Sequence, residues 1–146
     1  METVLNVLHV LTAVFIVGPM ALLPMTAMRA IRGGDGAQVT GLAQSTNVLS
    51  LASLIVVFFG FGLMSLDKEV KLSITTPWIL SSLILYVVAL ALSVAVVVPA
   101  MRTAGEHLTA DAPAAEGGND YKRIAMTSGI VSLLLMAVVV LMVARP

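Results

Sequence analysis

Cysteine is absent from the sequence, and charged residues make up only 11% of it. The lack of cysteine excludes disulfides, thiolate metal sites and thiol nucleophiles. Soluble domains are about a quarter charged and about half apolar, whereas 59% of these residues are apolar. A chain of 146 residues cannot hide so much apolar surface inside itself, because small domains leave much of their surface exposed. We therefore expect lipid to be the solvent for most of the chain.

The balance of charge also limits the partners. The net charge is zero, and the sequence has no basic cluster of the kind that follows a phosphate backbone, so we expect no nucleic acid. The opening METVLNVLHV has Glu2 and no Lys or Arg before its apolar run. A secretory signal begins with basic residues, so this segment predicts a retained membrane anchor.

Four apolar stretches are each close to the roughly 20 residues that a helix needs to cross hydrocarbon. They cover residues 4–28, 48–66, 77–100 and 124–144, and none contains Asp, Glu, Lys or Arg. Strands of a membrane barrel would be shorter and would alternate in polarity. The sequence therefore predicts an all-α fold, in which residues 1–146 form one integral membrane bundle of four transmembrane helices.

Three connections join these spans, and their charges predict the orientation. Residues 29–47 contain a flexible RGGDG turn, residues 67–76 are short and mixed in charge, and residues 101–121 are acidic, rich in small residues and predicted to be poorly ordered. The side of the first and third connections holds five basic residues: Arg29, Arg32, Arg102, Lys122 and Arg123. The other side holds three: Lys68, Lys71 and Arg145. We expect a multi-pass protein of a bacterial plasma membrane, with the first and third connections in the cytoplasm and both termini outside.

Ionisable groups are almost missing from the spans, where His9 is the one candidate. Proton relays and ion-coupled carriers use buried acids, Arg or His, so we predict a protein without catalysis of its own. The topology places Met64 and Met142 at a depth similar to that of His9. A His/Met set would suit haem iron or Cu(I), which accept thioether sulfur. Alternatively, His9 is a neutral histidine bonded to a backbone carbonyl or a hydroxyl.

Glycine and proline interrupt the first span at Gly18, Pro19 and Pro24. Each proline removes one backbone hydrogen bond and bends the helix. Such kinks open a cofactor pocket or a groove in some proteins, and they are also common in membrane helices with no special role.

Small residues recur at helical spacing in the third and fourth spans, a pattern that lets membrane helices approach closely. This packing serves either the bundle itself or docking onto other subunits. The pairs are Ala89 and Ser93, Ala91 and Ala95, and Ser128 and Ser132.

Several segments resemble a known family. LHVLTAVFIVGPMALLPMTAMRAIRGGD resembles the first hairpin of bacterial predicted integral membrane proteins of the DUF2269 family, and WILSSLILYVVALALSVAVVVPAMR and VSLLLMAVVVLMVARP are similar to its later helices. That family is similar in turn to copper-resistance D-type membrane proteins and to the HemJ-type protoporphyrinogen oxidase. These proteins share a histidine followed by a small and apolar helix with a central glycine, and His9 and Gly18 match that pattern here. ALLPMTAMRA departs from the basic and second-histidine pattern of the HemJ type. The resemblance thus implies haem binding at His9 without catalysis.

Our leading hypothesis is an accessory or stabilising subunit of a larger membrane assembly, with other membrane subunits as partners and no cofactor. We expect the host to be a respiratory electron-transfer complex, because the resemblance extends to haem and copper proteins. The alternative is a haem- or copper-binding membrane protein that uses His9 with a methionine. A facilitator for a small neutral or lipid-like solute is a third class, and its polar lining would be sparse: Thr12, Ser81, Ser82 and Tyr86.

Overall fold

A computed structural model of the chain describes residues 2–66, 74–110 and 114–144. These residues form four long helices, which we name α1 (residues 2–32), α2 (Gly36–Leu66), α3 (Pro77–Thr109) and α4 (Ala114–Ala144). Each helix is long and apolar enough to cross a membrane. The predicted all-α, four-helix membrane architecture is confirmed.

The helices extend beyond the predicted spans. α2 begins at Gly36 instead of residue 48, α3 continues to Thr109 instead of residue 100, and α4 begins at Ala114 instead of residue 124. Hydropathy detects only the roughly 20 residues that lie in hydrocarbon, whereas backbone hydrogen bonds continue a helix past the lipid. The 31 residues of α2 span about 46 Å at 1.5 Å per residue, about 16 Å more than the hydrocarbon core.

The first connection is much shorter than predicted. Only residues 33–35 lie between α1 and α2, so the expectation of a connection over residues 29–47 was wrong. The turn itself is confirmed at Gly34, whose φ of 75° favours glycine. The Asp35 carboxylate then accepts a hydrogen bond of 3.0 Å from the Gln38 amide and caps the start of α2.

The third connection is also shorter than predicted. Residues 101–109, expected to be poorly ordered, are helical, and Met101, Ala104 and Gly105 are buried there. Their small and apolar side chains pack on α2 and α4, which stabilises a helix that composition alone does not reveal. Residues 111–113 lie outside the described part of the chain. Most of the second connection lies outside it too, together with Lys68, Lys71 and Arg145.

All four helices pack together at one end of the molecule only. At this closed end, which contains residues 33–35, Gly18–Arg32 of α1 and Val98–Thr109 of α3 both contact α2 and α4. At the opposite, open end, Glu2–Thr12 of α1 packs on α2, and Pro77–Leu92 of α3 packs on α4. The described residues therefore form a four-helix bundle at the closed end and two helix pairs, α1/α2 and α3/α4, at the open end.

Small side chains line the face of α2 that enters the bundle. Successive buried positions are three or four residues apart, which gives one continuous stripe: Gly36, Val39, Ala43, Thr46, Ser50, Ser53 and Val56. The two helices come close at Gly36 and Gly105, where a Cβ built on Gly36 would lie 2.6 Å from the Gly105 carbonyl oxygen. The stripe thus allows α2 and α3 to touch through their backbones.

One π-helical turn interrupts each of α1 and α3. These turns are Ala13–Val17 and Ser93–Val97, and Pro19 and Pro99 each follow two residues later. A proline has no N–H for the preceding turn, so the ladder of backbone bonds shifts and the helix bends. Both turns lie at the level where the two helix pairs separate.

Candidate functional site at the open end

His9 lies on α1 and faces α2. Its Nδ1 is 2.9 Å from the carbonyl oxygen of Val56, and a Cβ on Gly60 would lie 3.2 Å from the ring atom Cε1. The glycine therefore leaves the space that the ring occupies. The ring itself is half-buried.

The bond to Val56 decides the tautomer of His9. A carbonyl oxygen only accepts hydrogen bonds, so Nδ1 carries the proton and the lone pair of the neutral ring is on Nε2. Within the described residues Nε2 has no hydrogen-bond partner. A backbone carbonyl orients many metal-ligating histidines through the same contact. The open end thus holds an oriented imidazole with one acceptor nitrogen still available.

The methionines proposed as co-ligands lie in different parts of the open end. Met64 is half-buried on α2, one helical turn beyond Gly60 and so on the face that contacts His9. Met142 is exposed on α4, in the other helix pair. No described contact joins either sulfur to His9. The described residues contain no group of three or more His, Cys, Asp or Glu side chains that could hold a metal ion.

Two pairs of hydroxyl groups join the helix pairs where they separate. Ser50 and Ser93 are 3.0 Å apart through their Oγ atoms, and Ser53 Oγ is 2.5 Å from the Tyr86 hydroxyl. Ser53 donates its proton to the Ser50 carbonyl at 2.6 Å, so the Tyr86 hydroxyl is the donor to Ser53. We call these four residues the hydroxyl link. Sequence analysis missed Ser50 and Ser53, although their spacing of three residues places them on one face of α2.

The hydroxyls that would line a solute pathway bond to their own helices instead. Thr12 donates to the Leu8 carbonyl at 2.7 Å, and Ser81 and Ser82 donate to the carbonyls four residues before them at 2.7 and 2.8 Å. Such local bonds satisfy a hydroxyl in a membrane helix without a partner helix. Tyr86 is part of the hydroxyl link.

The predicted packing residues divide between the inside and the outside of the bundle. Ala89, Ser93 and Ser128 are buried, and Ser132 Oγ donates to the Ala21 carbonyl of α1 at 3.4 Å. In contrast, Ala91 and Ala95 are exposed on the outer face of α3. The predicted kink residues Gly18 and Pro19 directly follow the first π-helical turn, and Pro24 is buried within α1.

Charged side chains at the closed end form two contacts that sequence analysis missed. Arg32 donates to the Tyr121 hydroxyl at 2.5 Å and lies 5.4 Å from the centre of that ring. His107 Nδ1 is 3.3 Å from Asp120 Oδ2. Both contacts depend on the helical extensions beyond the apolar spans, where the residues had been assigned to connections.

Comparison with known proteins identifies one match. The family model described as predicted integral membrane protein (DUF2269) covers residues 3–146. No curated protein and no solved structure matches the chain. The similarity to copper-resistance D-type and HemJ-type proteins stays a prediction.

Proposed function

The chain belongs to this family of predicted integral membrane proteins, and from that premise we propose that it is a non-catalytic accessory subunit of a larger membrane complex. A transmembrane helix of the host packs at the open end, against α1. The observation that carries this proposal is that no side chain from residue 3 to residue 19 is buried. Helices of a membrane bundle are held by close packing and hydrogen bonds, and this half of α1 packs mainly on α2.

His9 indicates which chemical group the host helix presents to α1. In hydrocarbon no water is present to satisfy Nε2, and an unsatisfied polar group there costs about 1–3 kcal/mol by mutational data. A Ser, Thr or Tyr hydroxyl on a neighbouring helix would donate to Nε2. We therefore expect the host helix to place a hydroxyl at the depth of His9.

The orientation and the location are part of the same proposal. Exposed basic residues gather at the closed end, which favours a cytoplasmic closed end in a bacterial plasma membrane. They are Arg29, Arg32, Arg102, Lys122 and Arg123. We propose an electron-transfer complex as the host, because such assemblies recruit small helical subunits.

Gentle detergent extraction of the tagged protein from its native membrane tests the subunit proposal. We expect it to migrate in a complex much larger than its own 15.2 kDa, and mass spectrometry then names the host. His9→Leu should lower the fraction recovered in the complex, because the acceptor for the host hydroxyl is lost. Val10→Leu, at an exposed neighbouring position, is the matched control and should stay bound. Recovery of the wild-type chain only as a monomer or homodimer would overturn the proposal.

The tautomer of His9 also favours one alternative function, the binding of haem or copper. With Nδ1 held by the Val56 carbonyl, Nε2 presents the lone pair that iron or copper requires. Met64 is the better placed second ligand, because it lies on the face of α2 that contacts the histidine ring. A bound haem would supply electron transfer, and His9 with Met64 would hold its iron.

The visible spectrum and the metal content of the purified protein test this alternative. A Soret band or bound copper that disappears in His9→Ala and weakens in Met64→Leu would support it, and Met142→Leu should leave it unchanged. A colourless and metal-free preparation from haem-supplied, copper-supplied cells would contradict it. That result leaves the subunit proposal intact, since the latter depends on a partner protein.

A further inference from the structure

Basic residues form a ring at one level of the closed end. The Arg32–Tyr121 contact places the end of α1 beside the start of α4, and the Gly36–Gly105 approach aligns α2 with α3. The remaining basic residues lie within one helical turn of these contacts and directly flank the apolar spans. They are Arg29, Arg102, Lys122 and Arg123, and all of them are exposed.

Among the side chains that the structure describes at the closed end, no carboxylate forms an ion pair with this ring. The Asp35 carboxylate caps α2, and Asp120 is buried with its Oδ2 3.3 Å from His107 Nδ1. Glu106 is exposed, without an ion pair to the ring. Within the described part of the chain, the ring therefore presents positive charge without a carboxylate partner, next to the ends of the apolar spans.

The most organised part of the ring is the surface around the Arg32–Tyr121 contact, where α1 meets α4, and we call this surface the α1/α4 groove. The Tyr121 ring holds the Arg32 guanidinium through a hydrogen bond and a cation–π contact at 5.4 Å, which lowers the entropic cost of using its other N–H groups. The Tyr121 oxygen accepts from Arg32, so its own proton stays available to an anion. Helical spacing places Arg29 and Lys122 on the outer rim of this groove, whereas Arg123 lies on the α3 side of α4.

We propose that this groove binds the phosphate of an anionic phospholipid from the leaflet at the closed end. Arg32 and the Tyr121 hydroxyl donate to the phosphate oxygens, and Arg29 and Lys122 add positive charge on either side. Arginine pairs with phosphate through two parallel hydrogen bonds, and basic residues near an anionic membrane surface are attracted to its lipids. The ligand is a lipid because the ring directly flanks the apolar spans, so acyl chains can lie along α1 and α4.

Thermal unfolding in lipid nanodiscs tests this site on the whole chain. The probes are phosphatidylglycerol and phosphatidylcholine, with inorganic phosphate added to phosphatidylcholine discs as a soluble anion. We expect phosphatidylglycerol to raise the unfolding midpoint of the wild type and phosphate to leave it unchanged. The double variant Arg29→Gln with Lys122→Gln should lose more than half of that rise. Its midpoint in phosphatidylcholine should equal that of the wild type, because both side chains are exposed.

A matched double variant distinguishes binding at a defined site from general electrostatic attraction between the basic residues and anionic lipid. Arg102→Gln with Arg123→Gln removes the same charge at the same level but outside the α1/α4 groove, and it should keep the full response to phosphatidylglycerol. Equal losses in the two double variants would overturn the site, since net charge alone would then explain the effect. An equal response to inorganic phosphate, or no response of the wild type to phosphatidylglycerol, would also overturn it. None of these outcomes depends on the host complex or on His9.

Discussion

His9 and Val56, 47 positions apart in the sequence, are joined by a hydrogen bond from the imidazole Nδ1 to the backbone carbonyl oxygen. The contact attaches the first part of α1 to α2 and leaves Nε2 as an acceptor. A single bond thus has a structural effect within the chain and a chemical effect at its surface.

The structural effect of His9 should be small. Interhelical hydrogen bonds in membranes contribute about 0.6 kcal/mol on average, so His9→Ala should lower the free energy of unfolding in detergent by about 1 kcal/mol at most. Equilibrium unfolding of the isolated chain measures this change. A loss of several kcal/mol would show that His9 is mainly a structural residue, which would weaken both functions proposed for it.

Gly105 should tolerate no larger side chain. A Cβ built on it would clash with Thr40 Oγ1 and lie 3.1 Å from the Gly36 carbonyl oxygen and 3.2 Å from the Thr40 amide nitrogen, so the threonine side chain and the backbone of α2 would have to shift. Gly105→Ala should therefore push α2 and α3 apart and destabilise the chain by about 1–3 kcal/mol. The unfolding midpoint in detergent reports the change.

Gly129→Ala is the matched control for Gly105→Ala. A Cβ on Gly129 would have no atom within 4 Å, and alanine favours a helix over glycine by about 1 kcal/mol. We expect an unchanged or raised midpoint. If both alanine variants behaved alike, the close approach of α2 and α3 would not be what limits position 105.

The bond between Ser53 and Tyr86 should couple the two helix pairs. In a double-mutant cycle, Ser53→Ala and Tyr86→Phe should show an interaction energy of about 0.6–1.7 kcal/mol, from the average to the largest value for such bonds in a membrane protein. Ser81→Ala combined with Tyr86→Phe is the control, because Ser81 bonds only to its own helix. Additive effects in both cycles would show that the bond between Ser53 and Tyr86 does not couple the helix pairs.

Pro19 and Pro99 should keep the helix pairs apart at the open end. Replacing both with alanine restores two N–H groups and favours straight helices, so the open end should narrow. The absence of cysteine allows spin labels at exposed Val7 and Val139, whose electron–electron distance should shorten in the double variant.

Labels at exposed Met25 and Met126 provide the control at the closed end, where the distance should stay the same. An unchanged Val7–Val139 distance would show that the prolines do not keep the helix pairs apart.

The sequence by itself determined that four helices cross lipid. Each span lacks charge over a length close to the hydrocarbon thickness, and the cost of exposing backbone polar groups to lipid leaves helices as the only reading. It also identified His9 as the ionisable group inside the spans and indicated the break at Gly18 and Pro19. Hydropathy could not find the true helix ends, because residues 36–47 and 101–109 lie beyond the most apolar stretches.

Only the tertiary structure decided which apolar faces meet. A side chain in a membrane protein is equally apolar whether it contacts lipid or another helix, so Ala89 and Ala91 look alike in the sequence although one is buried and the other exposed. The orientation of the His9 ring, the hydroxyl link and the separation of the helix pairs all depend on contacts between distant positions. Those contacts follow from close packing and hydrogen-bond geometry, which composition and periodicity do not encode.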